Sequence, residues 1–163
     1  MGLFPYWADV DERTAQSTLR FYLDQWPDYV GCPMLAALYG TWAAWLGDRD
    51  LSLRLHEEGF AAYQSGRFLQ TLEYRLDKID GVAAGPFFAN IGGFITGLLL
   101  GLPGLRIEDG DPLRWPVRPV LLPRGWTAIC CDQLWIGGRA WRLEARQGAF
   151  AELSSAQKGA PQR

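Results

Sequence analysis

The sequence predicts an α+β protein in which helices come first and strands follow. Apolar residues recur at helical spacing from about residue 15 to residue 64, and a further apolar helix is predicted near 91–100. Short alternating segments begin after residue 104. We therefore expect a helical part at residues 1–104, a strand-containing part at 105–155 and a loose tail at 156–163.

The first predicted helix follows the acidic segment 9–13, because carboxylates stabilise a helix N-terminus. Ala15, Leu19 and Trp26 then recur at helical spacing. Pro27 is expected to end this helix.

Two further helices are predicted behind it. Pro33 suits the first turn of the second helix, which Gly47 is expected to close. Asp48 or Asp50 can cap a third helix that runs to about Gln64. The short connection predicts that these two helices are antiparallel neighbours.

Helical periodicity fails between residues 65 and 89, and a loop of this length is usually functional or mobile. Asn90 is expected to cap the apolar helix that follows. Gly92 and Gly93 would permit close helix packing or a tight entry from the loop. The nearly uniform hydrophobicity of this helix predicts that it is surrounded on most sides.

The last third of the chain has the pattern of short strands. Gly137 and Gly138 form a two-residue hairpin signal between two alternating segments. The predicted strands are 105–108, 119–123, 126–136, 139–146 and 150–153.

Composition argues against several kinds of partner. The formal net charge is -2 and the charges are interspersed, so neither nucleic acid nor an anionic membrane is expected. The longest apolar run, 91–102, is too short to span a bilayer. The first residues lack the pattern of a secretory signal, and the three cysteines make no disulfide framework. We therefore expect a cytoplasmic protein.

Few residues are available to bind a metal. His56 is the single histidine, and neighbouring strand residues such as Cys130 and Cys131 point to opposite faces. Neither a metal nor another cofactor is therefore expected. His56 is expected to be a surface or partly packed residue rather than a phosphate ligand.

Several short motifs occur in a consistent order along residues 1–155. They are Cys32-Pro-Met-Leu, Trp45-Leu-Gly-Asp48, Asn90-Ile-Gly-Gly-Phe94, Gly101-Leu-Pro-Gly-Leu-Arg106 and Pro119-Val-Leu-Leu-Pro123. In their order and spacing they resemble the C-terminal part of glycoside hydrolase family 65. This family groups acid trehalases, glucosylgalactosylhydroxylysine glucosidases and α-glucoside phosphorylases such as maltose, trehalose and kojibiose phosphorylase.

The resemblance implies a specific architecture. The family's fold is an (α/α)6 barrel flanked by β-sandwich domains, so residues 1–104 would be its terminal helices and 105–155 a small antiparallel β-sandwich portion. These helices alone cannot close a barrel. Their exposed apolar faces would be buried in a homo-oligomer or by association with the missing upstream part.

The resemblance also implies a catalytic residue. Glu73 occupies the position in Leu69-Gln-Thr-Leu-Glu-Tyr74 where the hydrolases of the family have their general base. In an inverting reaction this base activates water opposite a general acid, and the family's acid lies upstream of the motifs present here. Tyr74 and Asn90 would contact the α-glucoside or other carbohydrate. From the sequence alone, without the resemblance, we would expect Glu73 to be a solvated loop carboxylate.

Two alternatives remain open. The phosphorylases of the family resemble one another in having a histidine just before the double glycine, whereas this chain has Phe87-Phe-Ala-Asn90 there. That difference favours a hydrolase over a disaccharide phosphorylase. The other alternative is a remnant without catalysis, or a module that binds carbohydrate or a protein.

Overall fold

The computed structural model describes residues 2–29, 35–80 and 83–155. Within this part of the chain the helices are α1 Glu12–Asp24, α2 Trp26–Tyr29, α3 Ala36–Trp45, α4 Arg49–Gly59 and α5 Phe88–Thr96. The strands are β1 Gln64–Ser65, β2 Gln70–Thr71, β3 Ala128–Ile136, β4 Arg139–Arg146 and β5 Glu152–Ser155. This mixture of helix and sheet confirms the α+β class. The barrel and sandwich assignments stay predictions, and Cys32, Pro33 and the tail lie outside the described residues.

Helix α1 begins where a side chain caps it. Asp11 Oδ1 accepts a hydrogen bond from Thr14 N at 3.0 Å, and Oδ2 accepts one from Thr14 Oγ1 at 2.6 Å. The hydrogen bond from the Thr14 side chain holds the pKa of Asp11 below its ordinary value. The helix ends at Asp24, and Pro27 lies in the first turn of α2, where a missing N–H has no cost. The prediction that Pro27 ends the first helix is therefore wrong.

Helices α3 and α4 are antiparallel neighbours, as predicted. Ser52 Oγ donates to Gly40 O at 2.7 Å in the middle of the contact. A Cβ at Gly59 would lie 2.2 Å from Ala36 O, so the end of α4 meets the start of α3. Asp48 caps α4 by accepting a hydrogen bond from Leu51 N at 2.8 Å.

Helix α4 is shorter than predicted. It ends at Gly59, because Phe60 leaves helical geometry with φ -136°. The apolar spacing continues into a short 3-10 turn, Ala61–Tyr63, in which Tyr63 is buried. The periodicity that predicted a helix to Gln64 therefore spans two different elements.

Helix α5 begins at Phe88, and Asn90 lies in its first turn rather than before it. The N-cap is Phe87, which makes no side-chain capping bond. Phe87 N instead donates to Thr71 O at 2.9 Å, so a tertiary contact fixes the entry to the helix. The predicted Asn90 cap is therefore wrong.

The prediction that α5 is surrounded on most sides is also wrong. Gly97 and Gly101, in the π-helical turn that continues α5, are buried against other elements. Ile95, by contrast, is 47% exposed, and Phe88 is exposed as well. Only one face of this apolar segment is packed.

The larger sheet is antiparallel, with strand order β3-β4-β5. Gly137 and Gly138 form the turn between β3 and β4, with φ +55° and +76°, which confirms the predicted hairpin. A β-bulge lies between Cys131 and Leu134. Strand β5 pairs with β4 and is two residues later than the predicted strand at 150–153.

Two predicted strands are wrong. Segment 105–108 forms only an isolated bridge, between Leu105 and Pro116. In segment 119–123, Val120 N donates to Ala149 O at 2.8 Å and Val120 O accepts from Gly148 N at 2.9 Å. These bonds join Val120 to a turn, so no ladder extends from it.

Two buried apolar clusters form the core. The first lies among α1 to α4 and includes Phe4, Leu19, Trp26, Leu38, Tyr39, Trp42, Leu55 and Tyr63. The second lies against the sheet and includes Ala44, Leu102, Leu105, Val120, Leu122, Leu143 and Leu153. Leu100 packs against both clusters. No helix in the described ranges is long and apolar enough to cross a membrane.

Candidate functional site

Glu73 lies directly after the short β1–β2 hairpin, at the start of the connection to α5. The backbone leading into Glu73 is fixed: Leu72 N donates to Tyr63 O at 2.8 Å, and Glu73 N donates to Ala84 O at 2.7 Å. The residue is half-buried. A carboxylate that is partly accessible on a fixed backbone can accept a proton from a bound water.

Tyr74 lines an open cavity of about 370 Å³, whereas Glu73 lies outside its lining. We call this space the Tyr74 cavity. Its other walls include Gln64 and Ser65 from β1 and the buried Tyr63. The hairpin therefore brings Tyr74 together with polar groups that can form hydrogen bonds to a ligand.

Arg75 is held in one orientation at the edge of this cavity. Its Nε donates to Asp77 Oδ1 at 3.0 Å and its Nη2 donates to Asp77 Oδ2 at 2.6 Å. The Arg75 side chain is only 11% exposed. The hydrogen bond between the two side chains raises the pKa of Arg75 and lowers the pKa of Asp77.

A second cavity of about 370 Å³ lies on the other side of Arg75. Its lining residues are Trp26, Pro27, Arg54, Glu58, Arg75 and Lys78. We call it the cationic cleft. Sequence reasoning missed it, because its residues come from α2, α4 and a later turn and share no motif.

Asn90 does not line either cavity. Its side chain is completely buried, and neither amide atom has a hydrogen-bond partner among the described residues. A buried amide normally has a partner. The role of Asn90 as a substrate contact stays a prediction.

His56, which the sequence predicts to be a surface or partly packed residue, is buried, and its ring extends from α4 toward Gly40 of α3 and Phe94 of α5. Its Nδ1 is 2.8 Å from Ser52 O, and its ring centroid is 6.0 Å from that of Phe94. Because a carbonyl oxygen only accepts, Nδ1 bears the proton of the neutral ring. Burial lowers the pKa of His56 below its ordinary value.

Residues 2–29, 35–80 and 83–155 contain no group of three or more side chains placed to hold a metal ion. Cys130 is exposed on β3, and Cys131 beside it is half-buried. Both thiols are free. Neither takes part in the candidate site around Glu73.

Comparisons of the chain with protein-family models, with curated proteins and with solved structures found no match. The resemblance to glycoside hydrolase family 65 therefore rests only on the short motifs of the sequence. The function of the chain is a proposal argued from those motifs and from the geometry around Glu73.

Proposed function

We propose that the chain supplies the general base of an inverting glycoside hydrolase that acts on an α-glucoside, and that Glu73 is this base. The observation that supports the proposal is the fixed backbone leading into Glu73, where the amides of Leu72 and Glu73 donate hydrogen bonds of 2.8 and 2.7 Å. A general base must remain within hydrogen-bond reach of the attacking water. A half-buried carboxylate just after a hairpin is compatible with that requirement.

Tyr74 and the cavity that it lines are proposed as the sugar-binding part of the site. The phenol ring offers a flat apolar face, and Gln64 and Ser65 offer hydrogen-bonding groups for sugar hydroxyls. Asn90 is not included in this part of the site, because its side chain is completely buried and lines neither cavity.

The reaction requires a second carboxyl group. Water attacks the anomeric carbon while Glu73 takes a proton from it, and the bond from that carbon to the leaving oxygen breaks. The leaving oxygen must receive a proton from a general acid, which the resemblance places upstream of these motifs. We therefore expect the chain by itself not to hydrolyse trehalose, kojibiose or maltose.

A substrate that needs no general acid tests Glu73 directly. In α-glucosyl fluoride the leaving group is fluoride, which departs without being protonated. We expect the chain to release fluoride slowly and to form β-glucose first, because attack inverts the anomeric carbon. Glu73→Gln should lower this rate about 100-fold or more. A fluoride electrode measures the rate, and NMR identifies the first anomer.

Glu57→Gln is the matched control, because Glu57 is an exposed carboxylate on α4. This variant should release fluoride at the wild-type rate, and thermal unfolding should show that both variants are folded. The base assignment is wrong if the wild-type chain releases no fluoride, if Glu73→Gln retains the wild-type rate, or if α-glucose forms first.

A second candidate function is that of an interaction module without catalysis. It is favoured by an apolar groove of about 360 Å³ between α5 and the β3–β4 hairpin. We call this the α5–hairpin groove; among its lining residues are Ile95, Leu99, Ile107, Leu134, Trp135 and Ile136. An exposed apolar groove of this kind is typical of an association surface. We propose a second copy of the chain as its partner.

A further inference from the structure

Three cationic side chains converge on the cationic cleft from two separate elements. Arg54 comes from α4, while Arg75 and Lys78 come from the turn after Glu73. The turn is closed by Lys78 N, which donates to Arg75 O at 3.1 Å. Glu58 is the one carboxylate residue among the described residues that line the cleft.

The Glu58 carboxylate already has two partners within the chain. Trp26 Nε1 donates to Glu58 Oε2 at 2.9 Å, and Arg54 Nε lies 3.9 Å from Glu58 Oε1. Asp77 pairs with Arg75 but does not line the cleft. Even if both carboxylates are counted, three cations face two anions, so the cleft keeps an excess of positive charge.

The pair with Asp77 uses only some of the N–H donors of Arg75. A guanidinium has five N–H donors, and Asp77 accepts from one on Nε and one on Nη2. Oriented guanidinium groups with a neighbouring ammonium group are the usual ligands of phosphate and carboxylate oxygens. An anion in the cleft would also relieve the repulsion among the three cations.

We propose that the cationic cleft binds the phosphate or carboxylate group of a small polar ligand. Arg75 is the oriented donor, and Arg54 and Lys78 supply further positive charge from opposite sides. The volume of about 370 Å³ is sufficient for a ligand the size of a monosaccharide. This binding site is distinct from the proposed hydrolytic role of Glu73 and requires no catalysis.

Calorimetric titration of the full chain tests the proposal with four probes: inorganic phosphate, glucose 6-phosphate, glucuronate and neutral glucose. We expect saturable binding of at least one anion, weaker binding at high salt, and no binding of glucose in the cleft. A preference for glucose 6-phosphate identifies a phosphorylated ligand, and a preference for glucuronate identifies a carboxylated one. Because the readout is binding, failure would leave the fluoride test of Glu73 unaffected.

Variants that should change the affinity for the anion in opposite directions make the test specific. Arg54→Gln and Lys78→Gln should each weaken anion binding about fivefold or more, because each removes one positive charge. Glu58→Gln should strengthen it, since it removes the opposing charge while its amide oxygen can still accept from Trp26 Nε1. Arg20→Gln on the exposed surface of α1 is the control and should have no effect.

The proposal is overturned if no anion binds saturably. It is equally overturned if Arg20→Gln weakens binding as much as Lys78→Gln does, since the attraction would then come from the net charge of the molecule. Unchanged or weaker anion binding in Glu58→Gln would contradict the assignment of this cleft.

Discussion

At the scale of single residues, His56 shows how the interior constrains a titratable side chain. A Cβ at Gly40 would lie 1.8 Å from His56 Nδ1, so the absence of a side chain at Gly40 makes room for the imidazole. Nδ1 donates to Ser52 O, and Nε2 has no partner among the described residues. The ring is therefore held neutral, because protonation would leave a buried charge.

This burial predicts a dependence of stability on pH. The folded pKa of His56 is lowered from 6.5, so the unfolded chain binds the proton more strongly. The free energy of unfolding should be highest above pH 6.5 and should fall as the pH drops through 6.5 toward the folded pKa, by up to about 1.4 kcal/mol per pH unit. Urea unfolding between pH 7.5 and pH 5 measures this slope.

His56→Asn is the informative variant, because its amide N–H can replace the Nδ1 donor to Ser52 without titrating. It should lower stability at neutral pH but abolish most of the slope between pH 7 and pH 5. The sequence contains no other histidine, so a slope of wild-type size in this variant would show that His56 is not its source.

At the scale of elements, two glycines explain how the π-helical turn that continues α5 packs on α3. Gly93, Gly97 and Gly101 recur every fourth residue and share one face of the helix. A Cβ at Gly97 would lie 2.7 Å from Thr41 Oγ1, and one at Gly101 would lie 2.5 Å from Thr41 Cγ2. A Cβ at Gly92 would meet no atom within 4 Å. A Cβ at Gly93 would make an ordinary contact, 3.5 Å from Ala37 Cβ, so the close approach to α3 depends on Gly97 and Gly101.

Alanine substitutions should distinguish the closely packed Gly101 from Gly92, which has open space around it. Gly101→Ala forces a methyl group against Thr41 and Phe4, and should lower the free energy of unfolding by about 1–3 kcal/mol. Gly92→Ala adds a methyl group in open space and improves helix propensity, so it should raise that free energy by about 0.5–1 kcal/mol. Urea unfolding of both variants measures the difference. Equal effects would contradict the close contact between α5 and α3.

Elements with local signals could be predicted from the sequence. The Asp48 cap depends on its own backbone, and the hairpin at Gly137 and Gly138 needs only a turn that favours positive φ. The start of α5 could not, because it depends on a hydrogen bond from Phe87 to Thr71 across the fold. Asn90 has the residue type of a cap, and residue type alone does not distinguish a cap from a buried amide.

The candidate site divides in the same way. Glu73 and Tyr74 can be proposed from the sequence, because both lie in one short motif that carries the resemblance. Arg54 and Lys78 meet only because α4 and the later turn are neighbours in space, and no spacing in the sequence indicates this. Chemistry that depends on distant segments therefore becomes visible only in the fold.

At the scale of the whole molecule, the helices and the sheet are joined by more than the shared Leu100. The Arg49 guanidinium donates to Leu122 O at 2.8 Å, Trp126 O at 3.0 Å and Pro123 O at 3.1 Å. These bonds satisfy three carbonyl groups that lie away from a regular strand. The second apolar cluster includes Ala44 of α3, so it draws on residues on both sides of the predicted boundary at 104.

The α5–hairpin groove is an exception to this packing. Trp135 is 67% exposed, Ile107 is 58% exposed and Ile95 is 47% exposed, although all three residues line one apolar groove. Most of the surface of Trp135 is therefore exposed, although the residue lines the groove. In a two-fold dimer each Trp135 could therefore insert into the groove of the other copy. Burial of an indole ring in this way removes a large apolar area from water.

We therefore expect the chain to self-associate at micromolar concentrations through this groove. Trp135→Gln should weaken the association at least tenfold, because it removes the inserted ring from both copies. Phe68→Gln is the matched control: Phe68 is 86% exposed in the β1–β2 turn and lies outside the groove, so its removal should leave association unchanged. Sedimentation velocity measures both effects. A wild-type chain that stays monomeric at 100 μM would contradict the interface, because this concentration is about ten times a dimer Kd of about 10 μM. Equal weakening by Phe68→Gln would instead assign the association to exposed aromatic residues in general.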